Sequence, residues 1–320
     1  MRPTANFEFP PEQQQTLAQA RRLEWWTLAY IGSGAVLLYL VMGSSQAMRT
    51  SFFEELISLV PAAAFLVCAP IALRAASPTY PYGLHGAVSI GYLVASLSLI
   101  AMGLFLLIEA AAKILSGERT TIGGFSLFGH MVWGGWPMLA VLLYTGVPSI
   151  FLGRAKLRLA PRIHDKILFA DAHMMKADWM AELAAGIGVL GVGLGWWWMD
   201  PLAAGLVSLD IIKDGATNLR VAVDDLIERR PMRTDRSGPE PIMEELKRWA
   251  EGLEWVDAAE VRLREVGHVF FAEVFVRPRT SERLPERIAG AVEEAKRLNW
   301  RLHDVTITAL QRTDVAPSGR

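Results

Sequence analysis

The sequence predicts a membrane protein in which six transmembrane helices are followed by a small α+β domain. Of its 320 residues, 52% are hydrophobic and 20% are charged, and its mean hydropathy is +0.26. This is more apolar material than one soluble core of ordinary composition needs. The surplus is concentrated in uncharged stretches of about 18 or more residues, long enough to cross ~30 Å of hydrocarbon as a helix. The last quarter of the chain instead alternates helix and strand patterns.

The uncharged stretches lie in the first two thirds of the chain and begin at Trp25, Leu56, Gly86, Ser126 and Leu183. A sixth begins at Pro201; it is shorter and continues through Asp210 and Lys213. Since an apolar run of this length is typical of a membrane span, the predicted helices are residues 25–42, 47–74, 86–113, 126–153, 164–197 and 201–220.

The distribution of Lys and Arg beside the helix ends predicts the orientation. With both termini inside, the cytoplasmic segments carry eleven of these residues and the opposite side carries three, Arg49, Lys113 and Arg119. Cytoplasmic loops are richer in Lys and Arg, so we expect a multi-pass cell-membrane protein with both termini cytoplasmic, in the inner membrane if the source is bacterial. The polar lead at 1–24 has no small-residue cleavage site, which favours a retained first helix over a signal peptide.

A soluble domain is predicted behind the membrane part. Helical spacing runs from Glu240 to Leu253 and from Leu284 to Leu298, while strand patterns occupy 258–266, 268–276 and 304–310. The order αββαβ predicts a half-open sheet with helices on one face, a fold that often pairs with a copy of itself. We therefore expect a homodimer whose chain divides into a lead, a membrane domain, a linker, a cytoplasmic domain and a tail at 1–24, 25–220, 221–237, 238–312 and 313–320.

From about residue 24 to 311 the chain resembles the cation diffusion facilitator family. Three strings carry the resemblance: Tyr-Pro-Tyr-Gly at 80–83 with His85, the run from Asp171 to Asp178, and 196–204 with Asp200-Pro201. The resemblance implies a ferredoxin-like fold for the cytoplasmic domain and proton-coupled export of zinc, manganese, iron or cobalt by a homodimer. It also implies four metal ligands, two each from helices two and five.

The chain departs from this family at its ligand positions. The helix-two ligand positions hold Ile57 and Pro61, and the histidine position of helix five holds Met174. Only the aspartate, Asp178, is retained. The resemblance therefore does not extend to the usual tetrahedral site.

A displaced site is predicted from the remaining acids. One turn outward from Ile57 is Glu54, with Glu55 beside it, and one turn outward from Asp178 is Glu182, at the i,i+4 spacing that places two side chains on one helix face. These carboxylates predict a metal site displaced by about 5–6 Å, one helical turn. Oxygen ligands of this kind favour manganese, magnesium or ferrous iron.

Alternative interpretations of the same residues remain open. The glutamates are equally compatible with a water-filled vestibule, and Glu182 with a structural ion pair to Lys176 or Arg49. Asp171 and His173, near the cytoplasmic end of helix five, are candidate ligands on the path into the site or proton carriers, because histidine titrates near neutrality.

The cytoplasmic domain lacks the ligands that the resemblance implies, because those positions hold Glu260, Phe275, Thr308 and Leu310. We expect His268 and His303 at its surface and no metal site in it.

Three functions are compared. A transporter exchanging a divalent cation for protons accounts best for the acids of helix five, and a non-transporting regulatory or assembly partner accounts for the missing ligands. An enzyme is not expected, because no nucleophile lies with a fuller set of His and acids near the membrane face. A nucleic-acid partner is not expected, because the net charge is −1 and no basic patch with aromatics is present.

The topology can be tested with reporter fusions. A fusion at the C-terminus and another before Trp25 should both report a cytoplasmic location, because Lys and Arg are concentrated on that side. An external C-terminus would contradict the six-helix topology.

Overall fold

A computed structural model describes residues 6–41, 46–117, 123–127, 130–235 and 237–310. Six long helices occupy the first part of the chain: α1 Pro11–Val41, α2 Gln46–Ala72, α3 Gly86–Ser116, α4 Gly135–Ile163, α5 Lys166–Gly193 and α6 Met199–Leu226. Strands β1 (Gly124–Leu127) and β2 (His130–Trp133) form a hairpin between α3 and α4. The last part contains α7 Ile242–Glu251, β3 Val256–Val266, β4 Val269–Pro278, α8 Leu284–Lys296 and β5 Leu302–Ala309.

Within the described ranges, three helices are long and apolar enough to span a membrane: Phe52–Ala72 of α2, the whole of α3 and the whole of α4. Helices α5 and α6 have comparable length but carry several charged side chains, and α1 begins with a polar segment. The structure therefore contains six long helices in the predicted order, while the six-span topology stays a prediction.

Two predicted helix starts are wrong. Helix α1 begins at Pro11 and not near residue 25, because the polar lead has its own helical pattern with Leu17 and Ala20 buried. Helix α4 begins at Gly135 and not at 126, because the residues before it form β1 and β2. A short apolar run by itself does not separate a strand from a helix.

Helices α4 and α5 are joined by a tight turn and pack along each other. His164 closes α4 in the left-handed conformation, and the Asp165 side chain caps α5 by accepting a hydrogen bond from the Leu168 amide at 2.8 Å. Glycines on α4 let the helices approach closely: a Cβ on Gly153 would lie 3.0 Å from Cβ of Met175. This register brings the middle of α4 against the acidic face of α5.

The described residues divide into two compact units. The helical unit contains residues 16–68 and 90–223, and the cytoplasmic-domain unit contains 6–15, Ala69–Ser89 and 224–310. The second unit is thus built from three separate parts of the chain, one of which includes the Tyr-Pro-Tyr-Gly loop.

The cytoplasmic-domain unit has the αββαβ element order predicted from the sequence. Its sheet has the order β3-β4-β5, with β3 and β4 antiparallel and β4 and β5 parallel. Helix α8 makes the crossover that a parallel pair requires. One apolar core joins the sheet to both helices through residues such as Leu246, Val274 and Ala295.

Three of the four positions at which the resemblance implies metal ligands in this domain lie in one row across the sheet. Glu260 is paired with Phe275, and Phe275 with Thr308. The Glu260 carboxylate accepts a hydrogen bond from Lys247 at 3.1 Å. The absence of a metal site in this domain stays a prediction.

His268 is buried and His303 is half-buried, which corrects the prediction that both lie at the surface. His268 is only 1% exposed, and Phe9 packs against its ring at 5.1 Å between centroids. His303 lies 5.0 Å from His85 and 5.8 Å from Phe7, also between centroids. The residues that cover them are distant in sequence, so the pattern of the strands alone did not indicate their burial.

This histidine cluster predicts a pH dependence. Burial, together with His303 and His268 nearby, lowers the pKa of His85 to about 4 from an ordinary value of 6.5. As the pH falls below about 6.5, the His85 imidazole binds a proton in the unfolded chain but not in the folded one. The free energy of unfolding is therefore highest above about pH 6.5 and decreases between pH 6.5 and about pH 4. Amide-exchange protection factors of β4, measured in the full chain over this range, should fall, and His85→Gln should make the fall shallower. Equal slopes for the two proteins would contradict this assignment.

Candidate functional site

A hydrogen bond between Ser58 and Asp178 fixes the register of helices α2 and α5. The Ser58 hydroxyl donates to Oδ1 of Asp178 at 2.6 Å. Asp178 belongs to a string that carries the family resemblance, and Ser58 follows Ile57, one of the two helix-two ligand positions, so the structure brings together the two helices that the resemblance pairs.

The usual ligand positions beside this bond are apolar. Met174 is fully buried in a cluster with Leu99, Met102 and Ile211, and Ile57 packs against the same cluster. Neither side chain offers a ligand for a hard cation. Asp178 is therefore the one retained ligand beside a packed hydrophobic contact.

The predicted carboxylates of α2 and α5 come close enough to repel one another. Glu55 interacts electrostatically with Asp178, Glu182 and Glu54, and Glu54 in turn interacts with Glu182 and Asp178. All four residues are half-buried. Among the described residues, none of the four forms an ion pair with a Lys or Arg.

Helices α1 and α4 contact the same carboxylates. A Cβ on Gly34 of α1 would lie 3.2 Å from Oε1 of Glu55, and a Cβ on Gly146 of α4 would lie 3.1 Å from Cβ of Glu182. Four helices thus surround the acids. In this conformation no group of three or more His, Cys, Asp and Glu within the described ranges is gathered tightly enough to hold a metal ion.

Asp171 lies in a different environment from the predicted site. Lys156 of α4 donates to Oδ2 of Asp171 at 2.5 Å and to Oε2 of Glu24 at 3.0 Å, and all three side chains are 0% exposed. Oε1 of Glu24 and Oδ1 of Asp171 have no hydrogen-bond partner among the described residues. With both carboxylates ionised, this buried triad carries one excess negative charge.

His173 faces α6 and not the other predicted site residues. Its Nδ1 lies 3.2 Å from Nδ2 of Asn218 and 3.9 Å from Oδ2 of Asp214, and its ring packs on Phe169. Asn218 is also the acceptor for the Tyr92 hydroxyl at 3.2 Å. Asp171 therefore belongs to the buried triad with Lys156 and Glu24, while His173 belongs to a separate polar contact with α6.

Lys176 does not neutralise Glu182, which removes one structural alternative. Its Nζ lies 2.7 Å from Asp210 and 2.9 Å from Asp214, both on α6. The side chain of Arg49, the other partner considered, lies outside the described residues.

Several polar residues at these sites were not singled out from the sequence. Tyr30 donates to the backbone carbonyl of Thr145 and interacts electrostatically with Glu55, Asp178 and Glu182. Neither Glu24 nor Lys156 was predicted to be a site residue. A polar residue inside an apolar helical pattern was the available signal for Tyr30 and Thr145.

These observations define a class: a helical membrane protein with a cluster of acids between its helices and a small α+β domain in the last part of the chain. Residues 26–227 match the cation efflux transmembrane domain. The chain belongs to this family, and the resemblance to the cation diffusion facilitators is confirmed.

Curated relatives come from Bacillus subtilis strain 168. The uncharacterized transporter YdbO is 28% identical over 202 residues, covering 60% of this chain and 64% of YdbO. The manganese efflux system protein MneP is 25% identical over 242 residues, with 73% and 75% covered. MneS, also a manganese efflux system protein, is 24% identical over 186 residues, with 58% and 60% covered. The chain therefore spans less than two thirds of YdbO and of MneS.

The buried triad generates a stability prediction. Lys156→Met leaves two buried carboxylates without their cation and should cost about 3–5 kcal/mol, because an uncompensated buried charge is strongly unfavourable. Glu24→Gln keeps the contact between Lys156 and Asp171 and should cost less. Unfolding of the purified protein in detergent by denaturant titration measures both. An unfolding midpoint for Lys156→Met equal to that of the parent would show that the triad does not support the fold.

Proposed function

We propose that this protein exports divalent metal cations from the cytoplasm in exchange for protons, through a carboxylate site between helices α2 and α5. The site residues are Asp178, Glu182, Glu54 and Glu55. The observation that carries the proposal is that these four acids interact with one another and that none of them forms a salt bridge with a Lys or Arg among the described residues. Lys113 interacts with Glu54 and Lys156 with Asp178 electrostatically, but each of these lysines forms its salt bridges with other acids.

Acids so arranged inside apolar helices need a positive partner. Ionisable groups at membrane depth are costly unless they are paired or reach a wet cavity, and they mark ion and proton pathways. A divalent cation neutralises two carboxylates at once, and protons replace it when it leaves. The same groups therefore account for both halves of an exchange.

Manganese is the ion that we favour. The available donors are carboxylate oxygens with a hydroxyl nearby, and such donors suit manganese and magnesium better than metals that prefer thiolate or imidazole. MneP and MneS are manganese efflux system proteins, which supports the same choice. We further propose that the protein is a homodimer with cytoplasmic termini, as is usual in the family.

The second candidate is a non-transporting membrane protein with a regulatory or assembly role. The apolar packing at the usual ligand positions favours it, because Met174 belongs to a hydrophobic cluster against which Ile57 packs. The acids one turn outward oppose it, because they form no salt bridge with a described Lys or Arg and charged groups at membrane depth are costly without a partner or a wet cavity.

The two candidates differ in what happens when the acids are neutralised. Glu182→Gln keeps size and hydrogen bonding but removes one charge, so manganese affinity should fall by more than about tenfold, ~1.4 kcal/mol. Asp178→Asn and Glu54→Gln should also weaken binding. The measurements are metal titration of purified protein and manganese uptake by proteoliposomes under a pH gradient, repeated with iron, zinc, cobalt and magnesium.

Asp210→Asn is the matched control. Asp210 is also an acid on a long helix of the same unit, but it is paired with Lys176, which keeps Asp214 as a second partner. Asp210→Asn should therefore bind manganese like the parent. Parental transport of every tested ion by both Glu182→Gln and Glu54→Gln would falsify the displaced site, and no uptake by the parent protein would favour the non-transporting candidate.

A further inference from the structure

We infer that helix α4 positions the metal-binding carboxylate of Glu182 through Thr145 and Gly146, and that Gly34 of α1 positions Glu55 from the opposite side. The acids of α2 and α5 then face a wall made by two other helices. This inference rests on the proposed function and identifies which neutral residues set its geometry.

Thr145 is placed to hold Glu182. It is 4% exposed, and its side chain lies near enough to the Glu182 carboxylate to interact with it. In this conformation the hydroxyl donates its single proton to the Val141 carbonyl of its own helix at 3.1 Å. It donates to an ionised Glu182 by turning from that carbonyl to the carboxylate, which favours the orientation of Glu182 toward α4.

Gly146, the next residue, sets how close Glu182 comes to α4. A Cβ at this position would lie 3.1 Å from Cβ and 3.6 Å from Cγ of Glu182. The first distance is tighter than ordinary van der Waals contact, so any side chain here pushes the base of Glu182 away. Glycine allows the carboxylate to stay beside Thr145.

Gly34 of α1 packs against Glu55 as Gly146 packs against Glu182, and it also approaches Thr145 of α4. A Cβ on Gly34 would lie 3.2 Å from Oε1 of Glu55 and 3.5 Å from Cγ2 of Thr145. Glu55 and Thr145 therefore approach the same small space beside α1. Tyr30, one turn earlier on α1, donates to the Thr145 carbonyl and holds this space together.

The chemical consequence is a site with fixed carboxylates rather than freely rotating ones. An ion that demands a particular spacing of oxygens is favoured when the carboxylates are held, because less side-chain ordering is needed on binding. Changes at Thr145, Gly146 or Gly34 should therefore alter metal affinity while leaving the charge of the site unchanged.

The first test uses the hydroxyl of Thr145. Thr145→Val keeps the shape of the side chain but removes the hydroxyl, and should weaken manganese binding by at least about tenfold, as expected for loss of a hydrogen bond to a charged group. Thr145→Ser retains the hydroxyl and should bind like the parent. Thr217→Val is the control, because Thr217 also bonds a carbonyl four residues earlier, that of Lys213 at 2.8 Å, but on α6.

The second test uses the two glycines, with Gly186 of α5 as the control for Gly146 and Gly32 of α1 as the control for Gly34. Gly146→Ala and Gly34→Ala should each weaken manganese binding by at least about threefold, because the added methyl displaces a carboxylate that must be held for binding. Gly186→Ala and Gly32→Ala should have no effect, since a Cβ at Gly186 meets only Leu139 at 3.9 Å and one at Gly32 meets nothing within 4 Å.

Glu182→Gln measured beside these variants separates the two proposals. If Glu182→Gln weakens binding but Thr145→Val and the two glycine variants bind like the parent, the positioning role is wrong and the proposed function stands. If Thr145→Ser loses as much affinity as Thr145→Val, the hydroxyl is not the positioning group. If Glu182→Gln also binds like the parent, both proposals fail. Denaturant unfolding of each variant confirms that the fold is retained.

Discussion

A charged side chain among apolar helices needs a partner of opposite charge, and this requirement divides the acids of the helical unit into two groups. Asp171, Asp210 and Asp214 each face a lysine, as do Glu109 and Asp200 beside Lys113. These ion pairs link neighbouring helices, and the charges within each pair neutralise one another. The acids of α2 and α5 around Asp178 form no salt bridge with a Lys or Arg among the described residues, which is why we propose the cation site there.

The sequence was sufficient for features that depend on local pattern. Apolar runs predicted the order of the long helices, and the alternation after Glu240 predicted the αββαβ order. The i,i+4 spacing of Asp178 and Glu182 predicted that they share a face of α5. The start of α4 was not predictable in this way, because residues 124–133 are apolar in either a helix or a hairpin.

Contacts between distant parts of the chain were not predictable from one sequence. Lys156 and Glu24 are 132 positions apart, and Tyr30 and Thr145 are 115 apart, so no local spacing indicates either contact. The burial of His268 likewise depends on Phe9 from the beginning of the chain. Gly267 shows the same limit: its φ of +60° marks a turn, but only the fold reveals that a Cβ there would collide with the His85 carbonyl.

The hydrophobic cluster that contains Met174 and packs against Ile57 also restricts how this protein can evolve. Changing Ile57 alone to histidine would place a polar ring against a hydrophobic cluster before a second ligand exists to use it, at a cost in stability. Changing Met174 alone has the same difficulty. The route back to an imidazole-containing site therefore passes through less stable single variants, so natural selection acting one substitution at a time would tend to retain the oxygen-rich site.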